Sequence, residues 1–583
     1  MEALAQTWHS LTAAWVAVHV ERQGKYSLER LRQLHDYQSS TSLARAWTII
    51  VLTPLPCLVI VSLLDAIPLE SPSRGLEHSH TFWLRWVLSA LIVFVSLTTQ
   101  IQPVVPRLPV AAAHIVWIPS VVALSTVTLT FAAAWVIGYP LPFIIVLCSP
   151  VACTSYAVCI YVAWGIFLSV NADARGELMN YFVLVLKLAS LLFVYALFGY
   201  AFNSLSSIGQ TAFAALLPIL KLACKNWIGS SVREIEDLKP EMIIFNVEIF
   251  HALNVAFSMQ NAASIHTIAV LMALDFFHAV ASLRHFHRIA RAWTTDLTTS
   301  TSSIPVDSWK LWRRGQVAPL RVIDASTETD PPQLLRIILM ALETHEKVAS
   351  SPRPPVRSYS VSRGPPSRRP GGLKTETSKD AAFETSKARV KKSQSLPKPP
   401  TTVATTKIRA DVGQQPPNGS IQILLTPTVT DEKHIFKAPS ARKLREQSQS
   451  ALQLLHMTEF FVLVEYTEVM IPAVYCLYLL VMRHLPNRVY YAQLKDVDDA
   501  KLQQNISNIL LYALLELVSF LVLSWYLDSK LRISAIHQLA FVLEHQWHMV
   551  QSKFIVWVVL TVQSSLEHFG ADYSFQFKWL HQQ

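Results

Sequence analysis

Long apolar runs alternate with short polar breaks along most of this chain. Ten runs stand out: Trp47–Leu64, Phe82–Ile101, His114–Ile137, Phe143–Val170, Tyr181–Phe202, Thr211–Trp227, Ile243–Met259, Ile265–Leu283, Leu454–Met482 and Ile506–Leu527. A helix of about 20 mainly apolar residues, rising ~1.5 Å per residue, covers a hydrocarbon core of ~30 Å. In lipid every backbone polar group needs an internal partner, which a helix supplies. The pattern predicts an all-α polytopic membrane helix bundle of about ten spans. Thr211–Trp227 is the weakest of them, being short and carrying Lys221 and Lys225. Pro54 and Pro56 fall inside the first span, and Pro150 predicts a kink in the fourth. Trp83 and Trp86 read as interfacial anchors of the second.

The polar segments divide the chain further. Residues 1–44 form a basic amphipathic lead, and 45–293 an N-terminal membrane domain of about eight spans. Residues 294–453 are rich in Pro, Ser, Thr, Lys and Arg and poor in aromatics. Such a stretch buries too little apolar surface to offset its ordering entropy, which predicts a long, mostly disordered cytoplasmic linker. Residues 454–530 form a C-terminal membrane helix pair. Residues 531–583 read as an amphipathic tail, in which Phe554–Val562 is apolar but too short to cross alone.

Composition agrees with the pattern. Hydrophobic residues make up 51% and charged residues 15%, with a mean hydropathy of +0.32; soluble chains carry roughly 25% charged residues. The net charge of +10 is concentrated, since Arg284–Arg445 holds 28 Lys/Arg against 13 Asp/Glu. Basic residues also flank the first span, the Ile265–Leu283 run, the Leu454–Met482 run and the last span. Ten spans put these clusters on one side, which the positive-inside rule makes cytoplasmic, together with both termini and the linker. Arg483 and Arg488 count mildly against that assignment. The six Cys lie in apolar runs with no metal or disulfide spacing.

Candidate chemistry lies in acids at membrane depth. Glu248/His251 and Asp275/His278 are i,i+3 pairs on the two helices of a predicted hairpin, Glu465/Glu468 is a third such pair, and Glu516 sits on the last span. Glu248, Asp275, Glu465 and Glu516 lie about 7 to 11 residues, or roughly 10–16 Å, from the cytoplasmic end. Glu459 is set aside: it lies near that end and about 120° around the helix from Glu465. Three readings remain open. The acids act as interhelical glue with Lys187, Lys221 and the histidines. They form an ion or proton pathway. Or EIFH (248–251), with DFFH (275–278) as an Asp variant, is half of a carboxylate–His metal site. The order acid helix, acid helix, basic exit occurs twice, once in each membrane half.

In the linker, Ser358, Ser393 and Ser395 stand beside basic residues as candidate phosphosites. Phosphorylation there would weaken attraction to anionic inner-leaflet lipids or alter contacts with cytosolic proteins. No P-loop, HExxH, GxSxG or potassium-filter sequence occurs, so no cofactor, no defined metal site, no catalytic residue and no nucleic-acid partner is predicted.

Six stretches resemble a family of multi-pass transmembrane proteins of oomycetes: YSLERL (26–31), LTPLPCL (52–58), LLDAIPLESP (63–72), FNVEIFHALNVAFSMQNAASI (245–265), VEYTEVMIPAVYCLYL (464–479) and HLPNRVYY (484–491). The resemblance covers both membrane halves and leaves out the linker. It implies a polytopic membrane fold with Glu248, Glu465 and Glu468 inside family motifs, and implies no activity. The leading expectation is an ion- or proton-coupled carrier or channel using the buried acids. The alternatives are a membrane receptor or scaffold with a regulatory basic linker, and a metal-dependent membrane enzyme.

Overall fold

The computed structural model describes residues 24–261 apart from 215 and 233–235, scattered positions between 266 and 291, and residues 441–570 apart from 496 and 532. All of these belong to one compact unit, residues 1–350 with 439–583; the other unit, 351–438, lies outside the described residues. So do Asp275, His278, Ser358, Ser393 and Ser395.

The described chain is helical. In order it forms α1 (Leu28–Ser40), α2 (Leu43–Leu52), α3 (Leu55–Ala66), α4 (His80–Thr99), α5 (Ala112–Ile137), α6 (Ile144–Val170), α7 (Ala172–Ser204), α8 (Ser207–Ala214), α9 (Leu217–Gly229), α10 (Lys239–Asn261), α11 (Ala441–Met482), α12 (Asp499–Tyr526), α13 (Ala535–His545) and α14 (Trp547–Gln563). Polar caps start several of them. The side chains of Ser27, Ser42, Asp498 and Ser534 each accept a bond from a backbone N–H three residues on. The first predicted span breaks at Thr53-Pro54 into α2 and α3, because Pro54 cannot donate to the helix ladder.

Nine described segments are long and apolar enough to cross a membrane. They match nine of the ten predicted spans; the tenth, Ile265–Leu283, lies for the most part outside the described residues. The doubtful sixth span is continuous enough to count: α8 and α9 together give a 22-residue apolar stretch, Ile208–Gly229. Pro218 sits in the first turn of α9, where its missing N–H breaks no helical bond.

Burial is inverted relative to a soluble protein. The outer helices show apolar side chains to their surroundings, with Ile166 88% and Trp135 77% exposed. The two most enclosed spans, α10 and α11, carry the buried acids Glu241, Glu248, Glu459, Glu465 and Glu468. Exposed apolar surface on this scale needs a lipid solvent. The protein is a multi-pass integral membrane protein.

The end of the bundle where α2 begins is called the inner end, after its basic residues. Here the structure departs from the expected amphipathic tail. α13 docks at the inner end, where Glu544 meets Arg45 at 2.5 Å and accepts from the Tyr37 hydroxyl at 2.8 Å. α14 then runs through the bundle against α3, α4 and α10. It emerges among the outer loops: Ser565 O accepts from Ala492 N, Lys495 pairs with Glu567 at 2.7 Å, and His568 reaches the Glu70 carbonyl at 2.7 Å. Phe143 N donates to Gly570 O, and a Cβ at Gly570 would strike the Leu141 carbonyl, so glycine is required there. α14 has only 17 residues. It crosses because protein rather than lipid surrounds it, so Gln551, Lys553 and Gln563 find partners inside. Residue 570 therefore lies at the end of the bundle opposite residue 24, whereas the segment after the tenth span was expected to stay on the inner side as an amphipathic tail. Single cysteines replacing Arg45 and Glu567 in a cysteine-free background should react with a membrane-impermeant maleimide from opposite sides of sealed vesicles. Labelling of both from one side would refute this path for α14.

Candidate functional site: charged layers along the α10–α11 seam

Three buried polar layers are stacked along α11. The middle one contains most of the sequence candidates. α9 presents Lys221 and Lys225, an i,i+4 pair on one face. Lys221 Nζ lies 2.9 Å from Glu248 Oε2, and Lys225 Nζ 2.5 Å from Glu248 Oε1. Lys221 also pairs with Glu468, so one ammonium bridges α10 and α11. The Lys225 ammonium stands 5.6 Å from the centre of the Phe460 ring, which shields it from lipid. Glu465 is buried beside Glu468 and accepts a bond from Ser519 on α12. Glu516 is buried three residues before Ser519, on the same side of α12. His251 lies one turn beyond Glu248, with its Nδ1 3.2 Å from the Tyr195 hydroxyl of α7.

The inner layer lies one heptad, or ~10 Å, toward the inner end of α10. Arg30 of α1 inserts there between Glu241 and Glu459, bonding Glu459 Oε1 at 2.7 Å and Glu241 directly. The Tyr26 hydroxyl donates to Glu459 and accepts from Gln538 of α13 at 3.1 Å. Burial, reinforced by Glu459, holds that hydroxyl well above its ordinary pKa, so it remains a donor. The guanidinium stacks over the Tyr26 and Phe541 rings at 5.3 and 5.7 Å.

The outer layer centres on Asp65, at the end of α3. It pairs with Arg85 of α4 and accepts the hydroxyls of Tyr478 and Tyr491, each at 2.6 Å. Asn487 seals the corner by donating to the Asp65 carbonyl at 2.7 Å and accepting from Leu69 N at 2.9 Å. Asp65 is fully buried and Arg85 is 1% exposed.

No protein-family model, curated protein or solved structure matches the chain. The site is therefore read from its own geometry.

That geometry joins Glu248, Glu465 and Glu468 in one layer with Lys221. Glu459, set aside from its helical angle, belongs to the inner layer, because α1 folds back to bring Arg30 to it. Lys187, expected among the acids, donates to the Trp227 carbonyl at 2.8 Å and Ser230 Oγ at 2.6 Å at the end of α9. Among the described residues no group of three or more His, Cys, Asp and Glu could hold a metal ion. Glu248 of the EIFH motif directs both carboxylate oxygens at ammonium groups, which oppose a metal cation there. Sequence reasoning passed over Arg30, Asp65, Arg85 and Tyr491. Tyr26, Arg30, Asp65, Glu248, Glu465, Glu468, Asn487 and Tyr491, drawn from all three layers, fall within the six stretches quoted in the sequence analysis.

Proposed function

We propose that the α10–α11 seam is a proton or cation pathway and that the protein is an ion- or proton-coupled carrier or channel. The charge count of the middle layer carries this reading. Four buried carboxylates, Glu248, Glu465, Glu468 and Glu516, are set against two ammonium groups, Lys221 and Lys225, and the His251 imidazole. A net negative charge at membrane depth costs a few kcal/mol or more. A proton or a monovalent cation offsets the excess of acid, and Glu465, which forms no ion pair with either lysine, is where it binds. Layers spaced by roughly 10 and 15 Å give such a charge successive stations between the two ends of the bundle.

The test is flux in proteoliposomes with a trapped pH dye and, in parallel, a trapped sodium- or potassium-sensitive dye. Wild-type protein should dissipate an imposed gradient. Glu465→Gln should reduce the rate by about 100-fold, a barrier increase of about 2.7 kcal/mol, while the protein yields and melts as wild type. Full flux in Glu465→Gln, or no flux of any of these ions in the wild type, would end the proposal. Thermal collapse of Glu465→Gln would return the acids to the role of glue.

A further inference from the structure

A second site stands apart from the charged seam and does not depend on it. α4, α5, α6, α7 and α14 surround a cavity of about 140 Å³, and its wall is almost wholly apolar. Aromatic rings supply much of that wall: Trp86 and Phe94 of α4, Phe193 of α7, Trp557 of α14, and Phe569 just beyond α14. Two hydroxyls of the wall turn to the protein. Ser89 Oγ donates to Gln563 Oε1 at 3.0 Å, and Ser149 Oγ to the Val146 carbonyl at 2.8 Å. Trp86 Nε1, Thr126 Oγ1 and Gln563 Nε2 make no hydrogen bond, but packing closes each of them off from a water-sized molecule.

Size and lining each exclude a class of occupant. A buried water needs about two to four polar partners, which this wall does not offer; an engineered apolar cavity of ~150 Å³ stays dry and binds benzene. An ion finds no charge in the wall. Pockets for drug-sized ligands run from roughly 300 to 1,000 Å³, so a whole lipid or a nucleotide is too large. What remains is a small, neutral, apolar molecule. Left empty, the cavity deprives its wall of dispersion contacts, which such a molecule restores. The aromatic wall favours a ring, because aromatic pairs gain energy from edge-to-face and offset-stacked arrangements beyond the area they bury. Phe193 belongs to the wall and is also 43% exposed on the outside of the bundle. The cavity is thus one side chain away from the lipid at α7.

We propose that this cavity binds one small neutral aromatic molecule, of the size of benzene or toluene, among the rings of α4, α7 and α14. Such molecules dissolve in the hydrocarbon of a bilayer, so the ligand arrives from the membrane and enters past Phe193. Size sets the specificity, since the wall holds no charge and no reachable donor to select by chemistry.

The experiment uses the full chain in nanodiscs, photolabelled with phenyldiazirine and mapped by peptide mass spectrometry. The label that excess benzene suppresses should fall on α4, α6, α7 and α14 peptides. Toluene should suppress it as benzene does, whereas anthracene, with three fused rings, should compete at least tenfold less well. Ala152 lies in the wall, and Ala152→Phe places a tethered ring in the cavity, so it should cut the benzene-sensitive label by about tenfold. Equal competition by anthracene would overturn the assignment by size. Equal labelling of the same peptides by a phosphatidylcholine carrying a diazirine at its chain end would show that a bilayer tail fills the space, and would overturn the small ligand. Label that benzene does not suppress, or that survives Ala152→Phe undiminished, would overturn the site itself. Should Ala152→Phe fail to fold, the contrast between benzene and anthracene still decides.

Discussion

Glu248→Gln is expected to cost about 3–5 kcal/mol of bundle stability, the cost of breaking a buried ion pair from one side. Glu248 is fully buried and is the acid through which both lysines of α9 are neutralised. Its loss leaves Lys221 with Glu468 but leaves Lys225 without its carboxylate. The measurement is thermal unfolding of purified protein in detergent, with yield as a second readout. Glu248→Gln/Lys225→Met should recover most of the loss, because it removes the orphaned cation together with its partner, and a buried pair exchanged for apolar groups is often near neutral. Lys225→Met alone should cost less than Glu248→Gln, since Glu248 keeps Lys221. A double variant no better than Glu248→Gln would mean that the layer is not held by this pairing.

The outer layer makes a sharper prediction, because its two partners are unequal. Asp65 has three side-chain donors, Arg85, Tyr478 and Tyr491. Arg85 has only Asp65 and the Tyr491 hydroxyl; its Nε and Nη1 make no hydrogen bond. Burial raises the Tyr491 hydroxyl above its ordinary pKa, so it serves Asp65 as a neutral donor and supplies no charge to Arg85. Asp65→Asn should therefore cost about 3–5 kcal/mol, by stranding a guanidinium. Arg85→Met should cost only about 1–3 kcal/mol, because the carboxylate keeps two tyrosines. The order of melting temperatures, wild type above Arg85→Met above Asp65→Asn, is the readout. The reverse order would mean that the carboxylate, not the arginine, is the dependent partner.

The spans were legible because each is a local property. A run such as Ala112–Ile137 is apolar on every side, and lipid admits it only as a helix. The same reasoning marked Glu248, Glu465 and Glu468, since an acid inside such a run stands out wherever it points. It failed for Asp65. An acid at the end of a span looks like a residue in water, and only the fold of residues 484–491 over that corner buries it. It failed for Arg30 for a similar reason: a basic residue in a polar lead looks solvated until α1 turns it into the bundle. Glu459 shows the limit of helical angles. Its direction around α11 was read correctly relative to Glu465, yet a second partner lay in that direction.

α14 marks the boundary most clearly. The sequence by itself determined that this chain is an all-α membrane bundle, where most of its helices cross, and that Glu248, Glu465 and Glu468 fall inside those helices. These follow from the cost of exposing backbone and charge to hydrocarbon, which each segment meets alone. Only the tertiary structure decided that the 17 residues of α14 cross as well, that Lys221 rather than Lys187 bridges the acids, and that three charged layers share one seam. Those outcomes depend on which helices surround a residue, and a helix packed inside protein is released from the length and apolarity that lipid demands.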